Sequence, residues 1–99
     1  MNYILNISDT AKKQLMALKK DKGLSKHYNA VKKALILLQN NPKHPGLQTH
    51  IYHSLKGPNG EKIFEAYAEQ HTPAAYRIFF CYGPRKDEIS VVAVVPHPD

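Results

Sequence analysis

The sequence predicts an α+β fold, with a hairpin of two helices packed on one face of a mostly antiparallel sheet in the order β-α-α-β-β-β. Two observations carry this. Apolar residues recur at helical spacing through residues 9–40, and strand-like runs joined by short turns fill residues 62–95. At 99 residues the chain has the length of one domain, 1–99, and neither a repeat nor a linker divides it.

Tyr3-Ile4-Leu5-Asn6-Ile7 is short, apolar and partly β-branched, and reads as a strand. Ser8 or Asp9 then caps a helix whose Ala11, Leu15 and Leu18 share one face. Gly23 is expected to end it in the left-handed conformation. Ser25 opens a second helix with Tyr28, Val31, Leu35 and Leu38 as its stripe, and Asn40-Asn41-Pro42 stops it. So short a join folds the helices back on each other.

Residues 42–60, rich in Pro, Gly, His and Asn, are expected to form a long irregular loop. Lys62–Glu69, Ala75–Tyr82 and Glu88–Val95 follow as a meander. Val91–Val95 is apolar on both faces, as a central strand should be. Alternation puts Ile63, Glu65, Tyr67 and Glu69 on one face of the first meander strand. On the second it sets Arg77, Phe79 and Cys81 opposite Tyr76, Ile78, Phe80 and Tyr82.

Fourteen Lys and Arg against eight Asp and Glu leave a net charge of +6, with six His besides. A pI near 9.5 favours acidic partners such as nucleic acid, a ribosome or an acidic protein. The longest apolar runs, Ala34–Leu38, Ile78–Tyr82 and Val91–Val95, fall far short of the about 20 residues that span a membrane. No signal peptide is visible at the start. The one cysteine, Cys81, permits no internal disulfide and sits in an apolar run, which suits a reducing compartment. A cytoplasmic protein away from membranes is expected.

Arg77 is a permanent cation amid apolar neighbours in a strand, so it needs a carboxylate, a hydrated groove or an anionic ligand. A structural pair with Glu65 or Glu69 would satisfy it equally. His97 follows the central apolar run between Pro96 and Pro98, which restrict the backbone around it. It suits acid–base work, or it is simply a surface histidine near the chain's end. His50-x-x-His53, with His44 or His71 near, matches no zinc signature, so no metal or cofactor is expected and these read as loop histidines. Lys12, Lys13, Lys19, Lys20, Lys32 and Lys33 on the helices, with Arg85 in the last turn, are candidate RNA phosphate contacts or plain solvated charge. Gly-rich nucleotide loops and serine elbows are missing.

The assembled pattern resembles the RelE/ParE superfamily of bacterial toxin–antitoxin toxins over nearly the whole chain. The β-α-α order carries it, with Asn41-Pro42 ending the second helix and Leu55-Lys56-Gly57 preceding the first meander strand. Tyr76-Arg77-Ile78-Phe79-Phe80 looks like the family's aromatic-Arg-aliphatic strand, and His97 falls where several members carry a histidine. The stretch from His53-Ser54-Leu55-Lys56-Gly57 to Pro96-His97-Pro98 is similar to a smaller, largely uncharacterised RelE-like subgroup.

The resemblance implies a small basic toxin neutralised by a cognate antitoxin, and a RelE-like arrangement of the fold. The RelE branch enters the ribosome and cleaves mRNA without a metal, inhibiting translation. On that pattern Arg77 would clamp the phosphate and His97 would donate or accept the proton. Lys56 and His53 would be auxiliary charge or base, and the lysine-rich helices would meet ribosomal RNA. Many catalytic members carry a tyrosine beside or soon after the histidine, where Pro98 and Asp99 stand here. A basic residue often found on the first meander strand is replaced by acidic ones, of which Glu65 could act as base. The missing tyrosine leaves two alternatives open. One is a ParE-like inhibitor that poisons DNA gyrase by binding, and the other is a decayed member with only a protein-binding role.

Overall fold

A computed structural model describes residues 2–97; Pro98, expected to brace His97, and Asp99, standing in the tyrosine's place, lie outside the described residues. The chain runs β1 (Ile4–Ile7), α1 (Asp9–Lys20), α2 (Ser25–Asn40), β2 (His50–Lys56), β3 (Lys62–Tyr67), β4 (Tyr76–Tyr82) and β5 (Glu88–Pro96). The five strands form one sheet in the order β1-β5-β4-β3-β2. β1 lies parallel to β5, and every other pairing is antiparallel. The expected α+β architecture is therefore present, with one strand more than the sequence suggested.

That strand is β2, inside the stretch expected to be a loop. It sits at the sheet's edge, and none of its side chains is fully buried, so alternation leaves no mark on it. Its pairing is also broken. His50 faces Glu65 and Ile51 faces Phe64, but Lys56 faces Lys62, so four residues on β2 (52–55) stand against the single Ile63 on β3. The hairpin closes at Gly57, whose N–H bonds the Glu61 carbonyl at 2.8 Å. A Cβ on Gly57 would crowd the Glu61 side chain and push its carboxylate aside.

The helix caps differ from expectation at one end. Ser8 is the N-cap of α1, its Oγ accepting the Ala11 N–H at 3.0 Å. The α1 terminus, however, is not made by Gly23. The helix stops at Lys20 with Asp21 extended, and the Asp21 carboxylate accepts the Gly23 N–H at 2.9 Å. This folds Lys22–Leu24 into a single 3₁₀ turn leading directly into α2, so a side chain performs the work assigned to a left-handed glycine. α2 ends at Asn40, just before Pro42, as read.

Both helices cover the same face of the sheet. Ala11, Leu18, Val31, Ala34 and Leu38 pack on Ala66, Ile78, Phe80, Ile89, Val91 and Val94. Ile63, Phe79 and Cys81 form a smaller cluster on the other face, joined by Tyr52, Val92, Ala93 and Val95. Alternation is thus as predicted along β4 and along β3 as far as Tyr67, where the strand ends; Glu69, expected on the Glu65 face, instead turns its carboxylate to His27 of α2. On β5 the partner steps from Ala93 to Val91 as β4 passes from Phe79 to Phe80, so Val92 is an inserted residue. Val92 and Ala93 consequently both face away from the helices.

β1 is shorter than β5, and α1 completes the exposed ladder. Ser8 Oγ donates to the Val92 carbonyl at 3.1 Å, and the Val94 N–H donates to Gln14 Oε1 at 2.7 Å. Ser8 thus both caps α1 and satisfies β5. Ser8→Ala is expected to cost about 1–2 kcal/mol, read as a lower urea midpoint, because two backbone groups lose a partner. Burial pushes the Cys81 thiol up, with the nearby Glu61 charge adding to it, so thiolate is scarce. Cys81 should react slowly with a disulfide reagent in the native protein and fully once denatured. Among the described residues no helix is long and apolar enough to cross a membrane.

Candidate active site

On the face away from the helices, the strand register converges five side chains. Glu65 on β3 lies opposite His50 on β2, and Tyr67 lies opposite Arg77 on β4. His97 follows β5 immediately, its backbone N–H bonded to the Ala75 carbonyl at 2.8 Å. Glu65 and Arg77 are the two charged residues among the buried set, only 3% and 8% exposed. Two charges so far from water need each other or a ligand.

Their geometry is incomplete as a salt bridge. Arg77 Nε stands 3.7 Å from Glu65 Oε2, within ion-pair range but without a hydrogen bond. Both atoms are buried and neither has a hydrogen-bond partner. The rest of Arg77 is well held. Its Nη1 donates to the Glu69 carbonyl at 3.0 Å and more weakly to the Tyr76 carbonyl at 3.4 Å. The guanidinium lies 3.8 Å from the Tyr67 ring centroid, a cation–π stack. The fork is thereby fixed with its Nε edge toward Glu65.

Glu65 is held from the opposite side. His50 Nε2 meets Oε1 at 2.8 Å, while His97 Nε2 stands 4.0 Å from Oε2. The two imidazoles, 46% and 34% exposed, form the solvent side of the cluster, and the carboxylate lies beneath them. Together these groups offer a fixed cation, a buried carboxylate with one oxygen unbonded, and two imidazoles. That set can bind an anion, accept a proton at Oε2 and exchange protons with solvent through the rings.

Glu69 was the other expected partner of Arg77, but its carboxylate is used elsewhere. Oε1 meets His27 Nδ1 on α2 at 2.6 Å and accepts the Tyr76 N–H at 3.0 Å. Only its carbonyl reaches Arg77. This clamp ties α2 to the turn before β4 and so fixes the carbonyl that aims the guanidinium.

Of the residues singled out in the sequence, Glu65, Arg77 and His97 come together. His53 and Lys56 do not join them in any contact. They lie further along β2, in and beyond its break, and Lys56 pairs at Lys62, three residues or roughly 10 Å along β3 from Glu65. The physical reason is the register: His50, not His53, is opposite the carboxylate. His50 was weighed only as a loop histidine or metal ligand, because a strand not recognised has no register. Tyr67 was placed on the right face by alternation, but its stacking role was not read.

Lys12, Lys13, Lys19, Lys20, Lys32 and Lys33 are all exposed on the helices, and Arg85 is exposed in the β4–β5 turn. The helices cover the sheet face opposite Glu65 and Arg77, so the α1 lysines lie away from the charged cluster, whereas Lys32 and Lys33 of α2 line a cavity that Tyr67 also lines.

No family model matches the chain, and no curated protein does. Solved structures do match. A chain of the archaeal RelE–RelB complex from Pyrococcus horikoshii is similar over 97% of this chain and 96% of its own, with 18% identity and a TM-score of 0.64. YoeB of the Staphylococcus aureus YoeB dimer is similar over 99% and 100%, with 11% identity and a TM-score of 0.67. The YoeB/ParE toxin from Agrobacterium tumefaciens is similar over 95% and 98%, with 10% identity and a TM-score of 0.68. The chain has the fold of the RelE- and YoeB-type toxins, from end to end.

Proposed function

We propose that this chain is the toxin of a toxin–antitoxin pair and cleaves mRNA on the ribosome without a metal, with Arg77, Glu65 and His97 at its centre. One observation carries the reading. The buried Arg77 Nε and Glu65 Oε2 stand 3.7 Å apart, a donor and an acceptor each without a partner. A ribose hydroxyl beside a phosphate is both acceptor and donor, and suits that pair.

Cleavage needs the 2′-hydroxyl to lose its proton as its oxygen bonds to phosphorus, while the 5′-oxygen leaves and gains a proton. Glu65 Oε2 takes the first proton. Arg77 spreads positive charge against the phosphoryl oxygens, a task its rigid fork performs better than a lysine. His97 supplies the proton to the departing oxygen. The products are a 2′,3′-cyclic phosphate and a free 5′-hydroxyl.

The separation of the α1 lysines from the charged cluster supports a ribosomal setting. Those lysines would hold ribosomal RNA on one side while the opposite face receives mRNA. Ribosome affinity is then expected to fall with salt along a log–log slope of several units, measured by co-sedimentation. A flat response would remove the lysines from the interface. A RelB- or YefM-like antitoxin is the proposed neutralising partner, since solved neighbours are RelE–RelB and YoeB–YefM complexes.

Arg77's engagement with Glu69, Tyr76 and Tyr67 also fits a second reading, in which the arginine is structural and the toxin binds DNA gyrase as ParE-type members do. Incubation with mRNA-programmed ribosomes, beside a supercoiling assay with purified gyrase, tests both. Ribosome-dependent cuts support the nuclease, and loss of supercoiling without cuts supports the rival.

A further inference from the structure

We infer that His50 is the positioning residue of this site: it holds Glu65 off Arg77, so that Oε2 and Nε do not close into a hydrogen bond with each other. The inference rests on the reading of the cluster as an RNA-cleaving centre and adds to it a residue on the edge strand. A carboxylate and a guanidinium in a buried setting otherwise close into a hydrogen-bonded, often bidentate pair. Here they stop at 3.7 Å, and the contact that accounts for it is on the carboxylate's other oxygen.

His50 is built to hold that oxygen. It pairs directly across the strands with Glu65, and its Nε2 meets Oε1 at 2.8 Å. Its Nδ1 meets the Gln48 carbonyl at 2.9 Å. A carbonyl can only accept, so Nδ1 carries hydrogen and the ring's orientation is set. His50 thus engages both of its nitrogens and cannot turn away without losing both contacts.

The carbonyl that orients the ring is itself braced. Gln48 is left-handed, with φ 47° and ψ 41°, and its N–H bonds the Pro45 carbonyl at 3.2 Å. Its side-chain amide donates to Gln70 Oε1 at 2.9 Å, and the Gln70 amide returns a bond to the Gly46 carbonyl at 2.9 Å. On its flank the His50 ring stands edge-on to Tyr67, 5.7 Å between centroids, the same ring on which Arg77 stacks. Tyr67 therefore packs against both His50 and Arg77. Glu65 is gripped at Oε1, and Oε2 is presented to Arg77 and His97.

The test compares wild type, His50→Ala and His50→Gln, with glutamine able to donate a neutral hydrogen bond to Oε1. Two properties are measured: the NMR signal of the Arg77 Nε–H, and RNA cleavage resolved into rate at saturation and RNA affinity. In His50→Ala, Glu65 should close onto Arg77, moving the Nε–H signal downfield. The saturating rate should fall by about 100-fold with affinity little changed, as a misplaced catalytic group costs. His50→Gln should keep the signal near its wild-type position and recover part of the rate. His50 is nearly half exposed on an edge strand, so neither variant threatens the core. An Nε–H signal unmoved in His50→Ala overturns the inference, as does wild-type cleavage by that variant. If wild type cuts no RNA, the cleavage reading fails, and the Nε–H signal alone decides whether His50 holds the pair apart.

Discussion

Arg77→Lys is expected to lower RNA cleavage by about 100- to 1,000-fold, the usual loss when a fixed electrostatic donor is removed from a reacting centre. Lysine keeps the charge but cannot lie flat on Tyr67, bond the Glu69 carbonyl and still aim a donor at Glu65. Because a cation remains near Glu65, the folded state should survive. Arg77→Ala differs. It strands a carboxylate that is 3% exposed, with His50 as its remaining close partner, and should cost about 3 kcal/mol of stability. Adding Glu65→Gln to Arg77→Ala should recover part of that loss, since no buried charge is then left alone. Urea unfolding followed by circular dichroism separates these effects from the loss of cleavage. An Arg77→Lys protein that cuts normally would make the arginine structural and turn attention to the gyrase-binding reading.

The largest stability loss is expected at Phe80. It is fully buried, stacked on Phe64 at 5.6 Å and edge-on to Tyr82 at 5.7 Å. It also lies in the cluster against which both helices pack. Phe80→Ala removes an aromatic ring whose space neighbouring side chains cannot fill, and should cost about 3–5 kcal/mol. For a domain this small that is a large fraction of the whole. Ile36→Ala is the contrast. Ile36 is 55% exposed on α2, and its loss should change stability by no more than about 0.5 kcal/mol. Chemical denaturation of both variants checks the pair, and a Phe80→Ala protein as stable as wild type would mean the helices do not depend on this face of the sheet.

The helices and the meander were legible because their patterns are simple. Leu18, Val31 and Leu38 recur at helical spacing, Asn41-Pro42 stops α2, and alternation along β4 separates Phe80 from Arg77 correctly. Legibility ended wherever a pairing between distant segments decided the outcome. β2 is an edge strand with exposed side chains and a broken register, so its sequence looks like a loop. For that reason His50 was weighed only as a loop histidine or metal ligand, while His53 three residues on was given an auxiliary role in the site. The end of α1 was missed because Asp21 captures the Gly23 N–H, a local hydrogen bond that competes with the glycine signal. Alternation alone would put Glu65 and Glu69 on one face of a strand running to residue 69, and made both candidates for Arg77, but β3 ends at Tyr67. The fold separates them by bringing His27 to Glu69 and His50 to Glu65. Nor could composition tell that the α1 lysines and the charged cluster would lie on opposite sides of the sheet, since that depends on which face the helices cover.

The most direct test of the central claim is to incubate the purified protein with mRNA-programmed ribosomes and map cuts by primer extension, beside Arg77→Lys and His97→Ala. The account predicts cuts by wild type that depend on the ribosome and are lost or strongly reduced in both folded variants. A folded wild type that leaves the mRNA intact would contradict it.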